Sequence, residues 1–336
     1  MEENTSQPLC ASEIANLWTQ YMNDSMAACF LSHILEYMKD QEYRRILEFA
    51  SDLSKSHLEK IKAFFQKDQF PTPIGFTEED VNLGAPPLLS DDLIMVYMYV
   101  MTLHGMTGYA GALGNSVRED QRGYFTQCNK ESMELFNQIS DIMLKRGILS
   151  KPPVIYGNKE IDFVNQQNYL NGWIGKKRPL NAVEITGLFF NTKKTIIKIV
   201  LELAFAQVTK TKDVQKYFIR GAELCKKHVG VFDSYLLDEN LPAPQRWESE
   251  VSDSTLAPFS EKFMLYHIVS LVSASLGFYG AGLAVSQRRD LAVQYAMLIA
   301  EMGLYAEDGA NLLIKYGWME QPPLAIDRRT LVKKNK

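Results

Sequence analysis

Apolar positions recur at helical spacing along almost the whole chain and alternate over no convincing stretch, which predicts an all-α protein. A first helix starts near Ser12, a suitable N-cap, and carries Ile14, Leu17, Trp18, Tyr21, Ile34, Leu35 and Met38 at its apolar positions. A second, from about Gln41 to Lys67, sets Tyr43, Ile46, Leu47, Ala50, Leu53, Ile61 and Phe64 on one stripe. The proline-bearing stretch from Asp68 to Leu89 is too long and too broken for a tight turn. Ser90 then caps a third helix, with Asp91 and Asp92 in the first turn, where carboxylates suit the helix dipole. A fourth helix runs from roughly Asp120 to Arg146 and stops at Gly147, with Pro152 and Pro153 soon after.

The same series then begins again. His57 and His228 stand 171 positions apart, and that offset also pairs Glu13 with Glu184, Ile14 with Ile185, Leu17 with Leu188, Lys55 with Lys226, and Pro71 and Pro73 with Pro242 and Pro244. After a one-residue deletion the offset becomes 170. Ser90 then meets Ser260, Tyr109–Leu113 meets Tyr279–Leu283, and Arg118 and Asp120 meet Arg288 and Asp290. Gly147 likewise meets Gly317, and Pro152-Pro153 meets Pro322-Pro323. The chain is a tandem duplication. Residues 1–153 form a first four-helix bundle, 154–180 a linker rich in Gly, Asn, Lys and Pro, and 181–336 a second bundle.

Short loops after helices one and three make those neighbours antiparallel, whereas the loop after helix two is long enough to cross the bundle. One long crossover in that place is the ferritin-like connectivity. Leu93–Leu113 and Phe263–Val285 are uncharged and about long enough to span a bilayer. Both hold His, Ser, Thr or Tyr and lie between amphipathic helices, so the central helix of a soluble bundle is the preferred reading and no membrane span is expected.

Composition narrows the function. A net charge of −4 leaves no basic footprint, so no nucleic-acid partner is expected, and Lys333, Lys334 and Lys336 read as a frayed tail. Cys10, Cys29, Cys128 and Cys225 are far apart and form no Cys-x-x-Cys pair, and Met1–Gln7 is acidic and polar rather than a leader. A reduced, cytoplasmic protein without disulfides is expected.

His57 and His228 are the candidate metal ligands, because the helix-two stripe turns both inward. A carboxylate di-iron bundle would add a Glu from each of two helices and a Glu-x-x-His from each of the others. Here Ser54 and Cys225 stand three positions before the histidines, and helix four offers Glu131-x-x-Glu134 and Glu301-x-x-Leu304. Glu36 and its counterpart Gln207 fall off the predicted seam. The carboxylate ligands therefore look missing, and buried neutral histidines bonded to a facing Ser, Tyr or Asp are expected, with no cofactor. Iron, manganese or zinc at His57 and His228 is the rival expectation. His33, His104 and His267 are unmatched between repeats and read as packing residues, and Phe70, Phe76, Trp247 and Phe259 as plugs over the core. No catalytic residue is assigned.

The duplicated unit, the inward histidine, the proline-bearing crossover and the Gly/Tyr-rich third helix together resemble an uncharacterised Bacillus-type family of duplicated ferritin-like proteins. That family is a domain of unknown function related to spore coat protein F. The resemblance covers nearly the whole chain. It implies two tandem ferritin-like four-helix bundles and an association with spores or stress, and no catalytic residue. The expected function is a non-catalytic structural or interaction protein that binds a protein partner or a second copy. The alternative is a degenerate ferritin-like metal-binding protein or oxidase using the helix-two histidines, and a carrier of an apolar small molecule between helices two and three is a third.

Overall fold

The computed structural model describes residues 7–157 and 160–334. Apart from Gln7, the opening segment read for a leader lies outside these residues, as does Lys336. Helix α1 spans Ala11–Tyr37, α2 Gln41–Lys67, α3 Asp91–Gly114 and α4 Glu119–Lys145. The second repeat supplies α5 Ala182–Val208, α6 Lys212–Asp238, α7 Glu261–Val285 and α8 Arg289–Lys315. A short helix α9, Arg328–Lys334, follows, so the lysine tail begins as a helical turn and not as frayed chain.

Two expectations shift slightly. Helix α1 starts at Ala11 with Cys10 as its N-cap residue, because the Glu13 carboxylate reaches back to accept from the Cys10 N–H at 2.9 Å. The α2 stripe ends on Phe65, which is fully buried, while Phe64 is half-buried. Elsewhere local chemistry sets the ends as read. Asp40 accepts from the Glu42 and Tyr43 N–H groups, Ser90 and Ser260 accept from Leu93 and Phe263, and Gly147 and Gly317 take the left-handed conformation after α4 and α8.

Each repeat packs its helices in consecutive pairs, α1 on α2, α3 on α4, α5 on α6 and α7 on α8, with a long crossover after the second helix. Buried Glu13 and Glu184 explain their matched positions. Glu13 accepts from the Val117 and Arg118 N–H groups, and Glu184 from those of Gln287 and Arg288, so each ties the first helix to the turn before the fourth. Burial opposes their charge, but backbone donors at Glu13, and the Arg178 guanidinium together with backbone donors at Glu184, hold both carboxyls below the ordinary range. At the same turns Arg118 forks onto Asp120, and Arg288 onto Asp290.

The two repeats are joined about a pseudo-two-fold axis through their crossovers. Val81 bridges to Phe259 and Leu89 to Val251, both antiparallel. The Asn82 N–H donates to the Pro258 carbonyl and the Ser252 N–H to that of Leu88; Ser90 donates to Glu250, and Ser260 to Asp80. Every one of these pairs maps onto its mate at the 170-residue offset, as an isologous contact requires. Phe76, Trp247 and Phe259 close over the apolar interior as expected, each 5% exposed. Among the described residues α7 alone is long and apolar enough to cross a membrane by composition. In the fold it packs against α5 and α8, with Phe263, Met264, Leu265 and Ile268 in the core shared by both repeats.

Candidate functional site

The α2 stripe points His57 into the first bundle, where it is 3% exposed. Three other helices bring polar groups to its level: Gln20 and Asp24 from α1, Tyr109 from α3, and Tyr124, Cys128 and Glu131 from α4. His57 Nε2 lies 2.9 Å from a Glu131 carboxylate oxygen. Its Nδ1 lies 3.2 Å from Asp24 Oδ2, but neither of those two atoms completes a hydrogen bond. Gln20 Nε2 reaches Cys128 Sγ at 3.7 Å. Gln20 Oε1 and the Tyr124 hydroxyl are also buried without a partner. His57, Cys128 and Glu131 each offer a ligand atom, all within 4.8 Å of one another.

A cavity of about 120 Å³ adjoins this cluster, with Asp24, Ser54, His57, Thr102, Tyr109 and Ser132 in its wall. It is well below the roughly 300–1,000 Å³ of a site for a drug-sized ligand, so this cavity between α2 and α3 is too small to hold one. The polar layer divides the bundle's interior. Leu17, Tyr21, Ile61, Phe65 and Phe125 form an apolar cluster of their own, apart from the core that runs on into the second repeat.

The charges are coupled. Burial raises the Asp24 carboxyl, an effect only partly offset by His57. Burial opposes a charge on His57, but Asp24 and Cys128 beside it outweigh that and push the imidazole up to about 11. Both directions state that the Asp24–His57 pair keeps a proton through neutral pH.

His228 occupies the equivalent place in the second bundle in a different setting. Its Nε2 lies 3.0 Å from Glu301, the counterpart of Glu131, and its Nδ1 3.3 Å from the Tyr279 hydroxyl. Thr195 replaces Asp24 and Leu298 replaces Cys128 at the repeat offsets. Lys198 replaces Ala27, and its Nζ lies 3.8 Å from Met302 Sδ. Burial lowers His228 to about 4, with Glu301 opposing and Lys198 reinforcing, so this imidazole is neutral at neutral pH. Glu202 sits one turn beyond Lys198, and burial raises it to about 8 despite the lysine.

The expected inward histidines are therefore present, one in each bundle, and the structure does not bring them together. The expectation that carboxylates are missing is corrected at His57, where Asp24 and Glu131 converge from two other helices. Glu134 is exposed and accepts from Gln138, and Gln207 donates to the Ser252 carbonyl on the crossover, away from either histidine. Asp24 and Cys128 were the residues missed. Their signals were an Asp within the apolar Tyr21–Phe30 stretch and a Cys one helical turn before Glu131. The described residues do not assemble the two Glu-x-x-His units of a carboxylate di-iron centre in either bundle. A histidine, a thiol and a carboxylate suit a tetrahedral ion of the zinc type.

The family described as "Protein of unknown function (DUF3231)" matches residues 2–161 and again 168–331. A crystal structure from Bacillus halodurans, of a protein provisionally named a spore coat protein, is similar at 17% identity and a TM-score of 0.40. It covers 45% of this chain and 98% of its own. No curated protein matches the chain.

Proposed function

Because the chain belongs to this family of unknown function, DUF3231, we propose from its own geometry that it is a non-catalytic structural or interaction protein of ferritin-like fold. One contrast supports the reading. Where residues hold the architecture, both repeats keep the same chemistry: Glu13 and Glu184, Arg118–Asp120 and Arg288–Asp290, and the paired crossovers. Where a reaction centre would lie, the repeats diverge, with Asp24 against Thr195, Cys128 against Leu298 and Ala27 against Lys198. A duplicated oxidase would need a ligand set in at least one bundle, and neither bundle assembles the di-iron pattern. A spore or stress setting, and a partner or second copy as the binding target, belong to the same proposal and rest on the resemblance of the repeats.

The test is oxygen uptake by the full-length protein given ferrous iron in air-saturated buffer. The expected rate equals that of a protein-free blank. Faster uptake that disappears in His57→Ala would replace this reading with an oxidase.

A further inference from the structure

We propose that the first repeat holds one divalent cation of the zinc class, ligated by His57, Cys128 and Glu131, and that the Lys198 side chain takes the corresponding place in the second repeat, which holds none. The proposal stands apart from the structural reading above, since a resident ion serves a non-catalytic protein as well as an enzyme.

The donor set carries the first half. A tetrahedral zinc with bonds of roughly 2.0–2.3 Å spaces its ligand atoms roughly 3.3–3.8 Å apart. The three donors already lie within 4.8 Å of one another, so small rotamer adjustments close the site. Asp24 faces Nδ1 of His57 and leaves Nε2 toward Glu131, which is how a carboxylate orients a ligating imidazole. The soft thiol selects zinc over magnesium or calcium. A thiolate and one glutamate neutralise the ion, and the adjoining cavity of about 120 Å³, walled by Ser54, Thr102 and Ser132, admits water as a fourth ligand. Asp24 and His57 both line this cavity and are both more than nine-tenths buried, with Oδ2 of the one 3.2 Å from Nδ1 of the other.

The second half rests on the comparison between repeats. Ala27, Ser54, Tyr109 and Ser132 border the cavity, and their counterparts are Lys198, Cys225, Tyr279 and Met302. The Lys198 side chain runs among those counterparts, 3.8 Å from Met302 Sδ and 5.9 Å from the centre of the Tyr279 ring. Larger side chains thus stand at three of these four positions, those of Ala27, Ser54 and Ser132. In the same copy the thiol of Cys128 gives way to Leu298 and the carboxylate of Asp24 to Thr195. A lysine in place of an alanine accompanies the loss of two groups that favour a cation.

The experiment uses the full-length chain without a histidine tag, stripped with a chelator and reloaded with zinc chloride or, as a spectroscopic probe, cobalt chloride. About one zinc per chain is expected after gel filtration, unchanged in His228→Gln and lost in His57→Gln and Cys128→Ser. The cobalt form should show tetrahedral visible bands and a sulfur-to-cobalt charge-transfer band in the near ultraviolet. No retained zinc, two zinc ions per chain, or wild-type zinc in Cys128→Ser would overturn the assignment. Should Cys128→Ser fail to fold by circular dichroism, the wild-type cobalt spectrum decides, and absence of the sulfur band overturns the site.

Discussion

Tyr97 and His267 are counterparts in the two repeats, and they meet each other: the tyrosine hydroxyl lies 3.1 Å from His267 Nε2 at the pseudo-two-fold axis. Phe30 covers the contact from α1, its ring centroid 4.6 Å from that of Tyr97, and Phe263 and Phe205 close it from the second repeat. A strict two-fold would place two identical side chains here. The duplicated chain can instead use two different ones, so a buried hydroxyl finds a buried imidazole.

Tyr97→Phe removes the partner of a histidine whose Nδ1 is already unsatisfied. Leaving such a group unpaired costs about 1–3 kcal/mol. Denaturant unfolding should show that loss, and Tyr97→Phe/His267→Phe should lose less than the two single changes added together. Additive losses would show that the two side chains are not coupled.

Burial pushes His267 down to about 3 and His228 to about 4. In the unfolded chain both take up protons near the ordinary value of about 6.5. The unfolded state therefore binds more protons below that pH. Their stabilising contribution is complete above about 6.5 and is lost as pH falls toward the folded values. Thermal unfolding across that window should fall less steeply in His267→Phe than in the wild type. An identical slope would remove the histidine from the account.

Lys198 and Glu202 are both almost fully buried, at 2% and 0% exposure. Replacing buried ionisable groups that offset one another by apolar groups of similar volume is often neutral or stabilising by about 1–4 kcal/mol, whereas removing one member is costly. Lys198→Met/Glu202→Leu, the second change borrowed from Leu31 of the first repeat, should match or exceed wild-type stability. Lys198→Met alone should fall below it. Chemical unfolding of the three proteins ranks them.

Glu184 carries more than its counterpart Glu13. Besides three backbone donors it receives both ends of Arg178, at 2.7 and 2.9 Å. Hydrogen bonds to charged groups are worth about 1.5–3 kcal/mol each. Glu184→Gln should therefore destabilise more than Glu13→Gln, and both should loosen the turn before the fourth helix of their repeat. Amide exchange at Arg288 and Arg118 reports that loosening directly.

Much of the fold was legible because it rests on short-range rules. Helical periodicity, Ser90 and its counterpart Ser260 as caps, and Gly147 and Gly317 as stops lie within a few residues of the ends they set. The duplication was legible because matched landmarks survive one deletion. The inward aspect of His57 and His228 followed from the same stripe, and burial of 3% and 0% bears it out. Periodicity states which face of a helix a residue occupies. It does not state which helix lies opposite, or at what height along the axis.

The sequence by itself thus determined the eight principal helices, their pairing by loop length, the crossover and the repeat. Only the tertiary structure decided that the crossovers join the two bundles about an axis, and that Tyr97 meets its own counterpart there. It also decided that Asp24, His57, Cys128 and Glu131, drawn from three helices, share one level of the first bundle. In the second bundle Lys198 reaches the same level. The physical reason is common to all three: each depends on the register of one packed helix against another, and interdigitating side chains set that register only once the whole core is assembled.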